Sequence, residues 1–151
     1  MATCLQNLLV QQWGLASTLG AACGSDCSTP SSFFLDFVKH TVAKYPQTAF
    51  GLVESTDDST IAPAYSYGWN DCMGGPGYDA GTFAVGLDDM RTQLASLPNF
   101  GSFIFAGTDH TSTQSPTFYT RTTTTADGGT VALTDWIASL LASSNVTNQG
   151  P

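Results

Sequence analysis

The chain has 151 residues and a mass of 15.8 kDa, room for about one domain with one modest core. Hydrophobic residues make up 42%, which excludes a polar, disordered body. Twelve Asp and Glu against four Lys and Arg give a net charge of −8, and Lys39, Lys44, Arg91 and Arg121 are scattered, so a phosphate-tracking nucleic-acid binder is excluded as well.

No apolar run is long enough to cross a membrane as a helix. Charged residues are only 11%, whereas Ser and Thr together number 36, a solubility strategy typical of secreted or periplasmic proteins. Cys4, Cys23, Cys27 and Cys72 fit an oxidising compartment, and their spacing proposes neither a zinc site nor any other cofactor. Leu19-Gly20-Ala21-Ala22-Cys23 faintly resembles a lipoprotein cleavage site, but no positive charge precedes it and Gln11, Gln12 and Trp13 break the apolar stretch. An export signal is therefore expected to lie outside this chain.

Leu5, Leu8, Leu9, Gln12 and Trp13 predict an amphipathic helix ending near Gly14. Residues 14–30 read as a loop in which Cys23 and Cys27 are close enough to cross-link. Cys4 and Cys72 are then left to pair or to find partners elsewhere. Thr29 before Pro30 signals a helix start, and Phe34, Phe37, Val38, Thr41, Val42 and Tyr45 form its apolar stripe up to Pro46. Residues 48–55 predict a short buried strand that stops in the polar run Ser55-Thr56-Asp57-Asp58-Ser59-Thr60. Residues 62–77 predict an irregular loop in which Tyr65, Tyr67 and Trp69 could line a pocket or simply pack. Phe83, Leu87, Met90, Leu94 and Leu97 mark the next helix, and residues 100–106 a second apolar strand entering Gly107-Thr108-Asp109-His110-Thr111. Residues 118–124 read as extended, 126–129 as a turn, and Leu133, Trp136, Ile137, Leu140 and Leu141 as a final helix with Trp136 in the core. Residues 143–151 read as a fraying polar tail. His40, between Lys39 and Lys44, reads as part of a solvated helix face, and Asn145-Val146-Thr147 as an uninformative glycosylation sequon.

Helices alternating with strands argue for an α/β fold with a mostly parallel sheet and flanking helices. Functional groups in such sheets sit at the carboxyl ends of strands, which puts Asp57 or Asp58 and His110 on one rim. Acid after one strand and histidine after the next is the order of the last two members of a Ser-Asp-His triad. The bland alternative is that Asp58 caps a turn and His110 is an ordinary loop residue. The nucleophile is missing: Ser25 has no strand before it and no elbow glycine after it, and Ser102 lies inside a strand and follows the acid.

Taken in order, several stretches resemble the pectin acetylesterase and Notum-like carboxylesterases, particularly the bacterial ones. They are Gln12-Trp13 before the Cys23 and Cys27 pair, Tyr45-Pro46 with Phe50-Gly51-Leu52, and Ser55-Thr56-Asp57-Asp58-Ser59-Thr60-Ile61. Asn70-Asp71-Cys72, Gly86-Leu87 before Met90-Arg91, Gly107-Thr108-Asp109-His110-Thr111, and Phe118-Tyr119-Thr120 ahead of Asp135-Trp136 complete the set. The resemblance implies a secreted serine esterase of α/β-hydrolase-like fold acting without a cofactor, with Asp58 as acid, His110 as base and Asp57 as a neighbour only.

It further implies that residues 1–142 are the C-terminal part of one esterase domain and that the nucleophile elbow lies upstream. An acylated carbohydrate or other small ester would be the substrate once that half is supplied. A sheet cut in this way is expected to expose an inner edge, with residues 100–105 prone to drive oligomers or aggregates if uncovered. The competing expectation is a secreted binding or structural module with no chemistry.

Overall fold

The computed structural model of the chain describes residues 3–63, 72–73, 80–142 and 146–151. Tyr65, Tyr67 and Trp69 of the aromatic loop, and Asn145 of the sequon, lie outside the described residues. Helix α1 (Thr3–Gln12) and the short α2 (Leu19–Cys23) precede α3 (Phe33–Lys44). Strand β1 (Phe50–Ser55) follows, then α4 (Ala80–Leu94), β2 (Phe100–Phe105), the short strands β3 (Thr122–Thr124) and β4 (Thr130–Ala132), and α5 (Leu133–Ala142). Among the described residues, no helix is long and apolar enough to cross a membrane.

The result is an α/β arrangement built on a small parallel sheet. β1 and β2 pair in parallel with Phe50 opposite Phe100 and Ser55 opposite Phe105, while β3 and β4 form a separate antiparallel hairpin. Both faces of the parallel pair are covered. Phe50, Leu52 and Phe100 pack with Leu35 and Val42 of α3 and Leu94 of α4; on the other face Val53, Phe103 and Phe105 pack with Leu133 and Trp136 of α5. Period-two alternation in the strands thus sends even-numbered side chains to one helical layer and odd-numbered ones to the other.

Several expectations need correcting. Thr29 makes no side-chain cap; Pro30 instead opens a 3-10 turn, Pro30–Ser32, and α3 begins at Phe33. Buried Gln6 of α1 does the capping from a distance, its Oε1 accepting from Phe34 N at 3.2 Å and its Nε2 donating to Ser31 O at 2.7 Å. Residues 14–30 are not plain loop, since they hold α2 and two 3-10 turns. Residues 118–124 are only half extended: Pro116 after Ser115, whose Oγ accepts from Thr117 N, starts a 3-10 turn that runs to Tyr119.

Cysteines 23 and 27 are joined, and Cys4 is joined to Cys72. Two disulfides are compatible with an oxidising, non-cytosolic compartment. His40 is only partly solvated: its Nδ1 is 2.9 Å from exposed Asp26 Oδ2, and its Nε2 is buried with no hydrogen-bond partner among the described residues.

The largest departure concerns the tail. Residues 146–151 do not fray but run beside β2: Gln149 N donates to Ser102 O at 2.7 Å, Ile104 N to Gln149 O at 2.9 Å, and Trp136 Nε1 to Thr147 O at 3.0 Å. β2 is therefore an interior strand, buried at every position, with β1 on one side and the tail on the other. The open edge belongs to β1. Phe50 N donates to Asn99 O and Thr56 N to Phe105 O, so the N–H groups of Gly51 and Val53 point the other way, where no described strand lies.

Candidate functional site

Beyond the carboxyl ends of β1 and β2 the two loops stay laced together. Thr56 N donates to Phe105 O at 2.9 Å, Asp57 N to Gly107 O at 3.0 Å, Ser59 N to Thr108 O at 3.1 Å, and Ser55 Oγ to Asp109 O at 2.9 Å. Parallel pairing thus continues past the sheet and fixes the register of one loop against the other.

Asp58 sits at the start of the helical turn at residues 61–63 and accepts on Oδ1 from Thr60 N at 2.7 Å and Ile61 N at 2.6 Å. Its backbone carbonyl accepts from Ala62 N, the first bond of that turn. With Oδ1 so occupied, Oδ2 turns to His110 and lies 2.7 Å from Nδ1. Asp58 is fully buried, whereas the His110 side chain is 37% exposed. Burial pushes the Asp58 carboxyl up, but the hydrogen bonds from Ile61 N–H, His110, Thr60 N–H and Glu54 outweigh it and hold the group below the usual carboxylate range.

His110 is held from both flanks. On one side the Asp109 carboxylate pairs with Arg121, whose guanidinium lies over the Phe105 ring, 4.0 Å from its centroid. On the other, Thr111 has φ +55°, a left-handed conformation that a β-branched residue rarely adopts. With Nδ1 committed to Asp58, the imidazole presents Nε2, which no described residue bonds.

Both residues expected to carry chemistry, Asp58 and His110, are thus brought together. Asp57 ties the loops through its backbone, its N–H donating to Gly107 O, and among the described residues no hydrogen bond joins its carboxylate to His110. Ser25 lies in the turn closed by the Cys23–Cys27 disulfide, and Ser102 is buried in β2 with its Oγ on Asn148 Oδ1 at 3.0 Å. Neither is placed as a nucleophile, and no described hydroxyl hydrogen-bonds His110 Nε2.

Sequence reasoning missed Glu54, the penultimate residue of β1. Its Oε1 accepts from Ser55 N at 2.8 Å, and its carboxyl feels the charge of nearby Asp58. Burial first, then Asp58, raises its pKa to about 7 against the opposing Ser55 N–H bond. A carboxylate in a strand whose neighbours are apolar was the available signal. Among the described residues, no group of three or more His, Cys, Asp or Glu could hold a metal ion.

Comparison with family models, curated proteins and solved structures gives no match to any of them.

Proposed function

We propose that this chain carries the acid and base of a serine carboxylic-ester hydrolase of α/β-hydrolase-like fold, and that a preceding polypeptide segment supplies the serine nucleophile and the oxyanion donors. The observation that carries the reading is the contact between buried Asp58 and His110 Nδ1, at the carboxyl ends of adjacent parallel strands, with Nε2 bonded by no described residue. Asp58 accepts the Nδ1 proton and so fixes the tautomer in which Nε2 is basic. Nε2 then takes the serine proton as the hydroxyl attacks the ester carbonyl, and Asp58 stabilises the imidazolium until that proton passes to the leaving alcohol. Water repeats the sequence on the acyl-enzyme. Acyl esters of polysaccharide are the substrate class proposed, on the resemblance described above, with the protein acting outside the cytosol.

The dyad alone is a general base worth roughly 10²–10⁴-fold, far short of an esterase with a nucleophile and oxyanion hole. The isolated chain should accordingly resist labelling by serine-directed phosphonates and barely turn over p-nitrophenyl acetate. Fusion to the upstream half of a related esterase should confer both. In that fusion His110→Ala should abolish turnover and Asp58→Asn should lower it by about 10⁴-fold, as expected when the histidine is held in the wrong tautomer. A folded fusion that ignores both substitutions would leave the non-catalytic binding module as the better account.

A further inference from the structure

We propose that Arg121 is a positioning residue for His110: seated between the β3–β4 hairpin and the end of β2, its guanidinium grips the Asp109 carboxylate and so holds the neighbouring imidazole against Asp58. Calling the pair catalytic rests on the esterase reading; the role of Arg121 in placing it does not.

Arg121 is itself firmly seated. It immediately precedes β3, and its carbonyl accepts from Leu133 N at 2.9 Å, which ties its backbone to the start of α5. Its side chain is only 10% exposed and lays the guanidinium 4.0 Å from the centroid of the buried Phe105 ring, the last residue of β2. From that seat Nη2 donates to both the Asp109 carboxylate and Thr117 Oγ1, and Thr117 Oγ1 is in turn 2.7 Å from Ser115 Oγ. A planar fork can stack on a ring and donate from its edge at once, which a lysine ammonium cannot.

The His110 loop is the part that needs holding. Its ring is 37% exposed, so packing alone does not fix it and its placement depends on its flanks. Ser55 Oγ holds the Asp109 carbonyl at 2.9 Å, but a carbonyl contact alone leaves the chain free to pivot about it. The Arg121 pair adds a second point on the same residue, while Thr111, with φ +55°, fixes the other side of His110.

Exchange of the His110 Nδ1 proton with water, followed by NMR on the chain as it is, requires the Asp58 contact to open and so reads the positioning. Arg121→Met keeps an apolar stem over Phe105 but loses the fork; it should accelerate that exchange by about fivefold, the scale of a half-exposed ion pair. Asp109→Ala should do the same, and the double variant should be no faster than either alone, because both changes cut one link. The amide of Ile104, bonded to the docked tail, should exchange at the wild-type rate in all three variants, which a general loss of stability would not allow. Unchanged His110 exchange in the single variants, additive effects in the double variant, or equal acceleration at Ile104 overturns the proposal. If Arg121→Met fails to fold, the comparison of His110 with Ile104 in Asp109→Ala still decides. Failure of the esterase reading would show only in the fusion, with these exchange signals intact.

Discussion

His110 Nδ1 reaches Asp58 Oδ2 at 2.7 Å across 52 residues of sequence, and it does so because the loops that carry them continue the parallel register of β1 and β2. The consequence for stability can be stated with its sign. The folded-state pKa of Asp58 lies below its ordinary value of 3.8, so the stability it contributes is present above that value and is lost as pH falls through the lower folded value. Urea unfolding followed from pH 5 down to pH 2 should show the wild type weakening in that window. Asp58→Asn should be less stable at pH 7 and flatter in acid, and an equally steep acid limb in the variant would assign that limb to other groups.

Glu54 works in the opposite direction. Its folded pKa is raised from 4.5 to about 7, so its contribution is complete below pH 4.5 and is lost as pH rises through 7. Glu54→Gln, which keeps an oxygen to accept from Ser55 N and carries no charge, should match the wild type near pH 4.5 and exceed it at pH 8, by an amount of order 2 kcal/mol. Denaturation midpoints at the two pH values test this, and a variant less stable than the wild type at pH 8 contradicts it.

The two halves of the dyad were legible in the sequence because each follows an apolar run, and an apolar run that ends abruptly in polar residues marks a strand end. Leu87, Met90 and Leu94 likewise betrayed α4 by their spacing. What hid was non-local. Gln6 capping α3 lies 28 residues from the Phe34 amide that donates to it, and the docking of Gln149 on β2 depends on backbone groups that carry no side-chain signature. Glu54 escaped because strand periodicity assigns a residue to a face without saying what its carboxyl meets beyond the end of the strand. His40 escaped for the same reason, its partner Asp26 belonging to the disulfide-closed turn.

Asn99 joins α3 to the sheet. Buried before β2, its Nδ2 lies 3.1 Å from both Val42 O and Tyr45 O and 2.9 Å from Thr48 O, meeting carbonyls at the end of α3 and in the turn that follows. Asn99→Ala takes this donor from Val42 O and Thr48 O, whereas Tyr45 O keeps its bond from Thr48 N, and it should cost about 1–3 kcal/mol. Asn99→Asp, which cannot donate when ionised, should cost more at pH 7 than at pH 3. Chemical denaturation of both variants distinguishes this from a simple packing loss, which would not depend on pH.

The open edge of β1 replaces residues 100–105 as the surface through which self-association is expected. The outward N–H of Val53 makes no bond to β2, so Val53→Pro removes a donor from that edge without breaking the ladder. Sedimentation of the wild type should show concentration-dependent oligomers that Val53→Pro reduces. Oligomers of equal size in the two proteins would place the contact elsewhere.

The docked tail sets the last expectation. It fits against β2 because Gly101 has no side chain: a Cβ there would lie 2.2 Å from Val146 Cγ1 and 2.8 Å from Thr147 O. The second contact is with backbone that is itself held by Trp136 Nε1, so the tail cannot yield without losing that bond. Gly101→Ala should therefore expel the tail or strain it, at about 1–3 kcal/mol. Removal of residues 146–151 should expose the backbone edge of β2 at Ser102 and Ile104 and the indole of Trp136. Trp fluorescence should shift to the red and amide exchange at Ile104 should accelerate in both proteins. Protection at Ile104 that survives truncation would show that β2 is covered by something other than its own C-terminus.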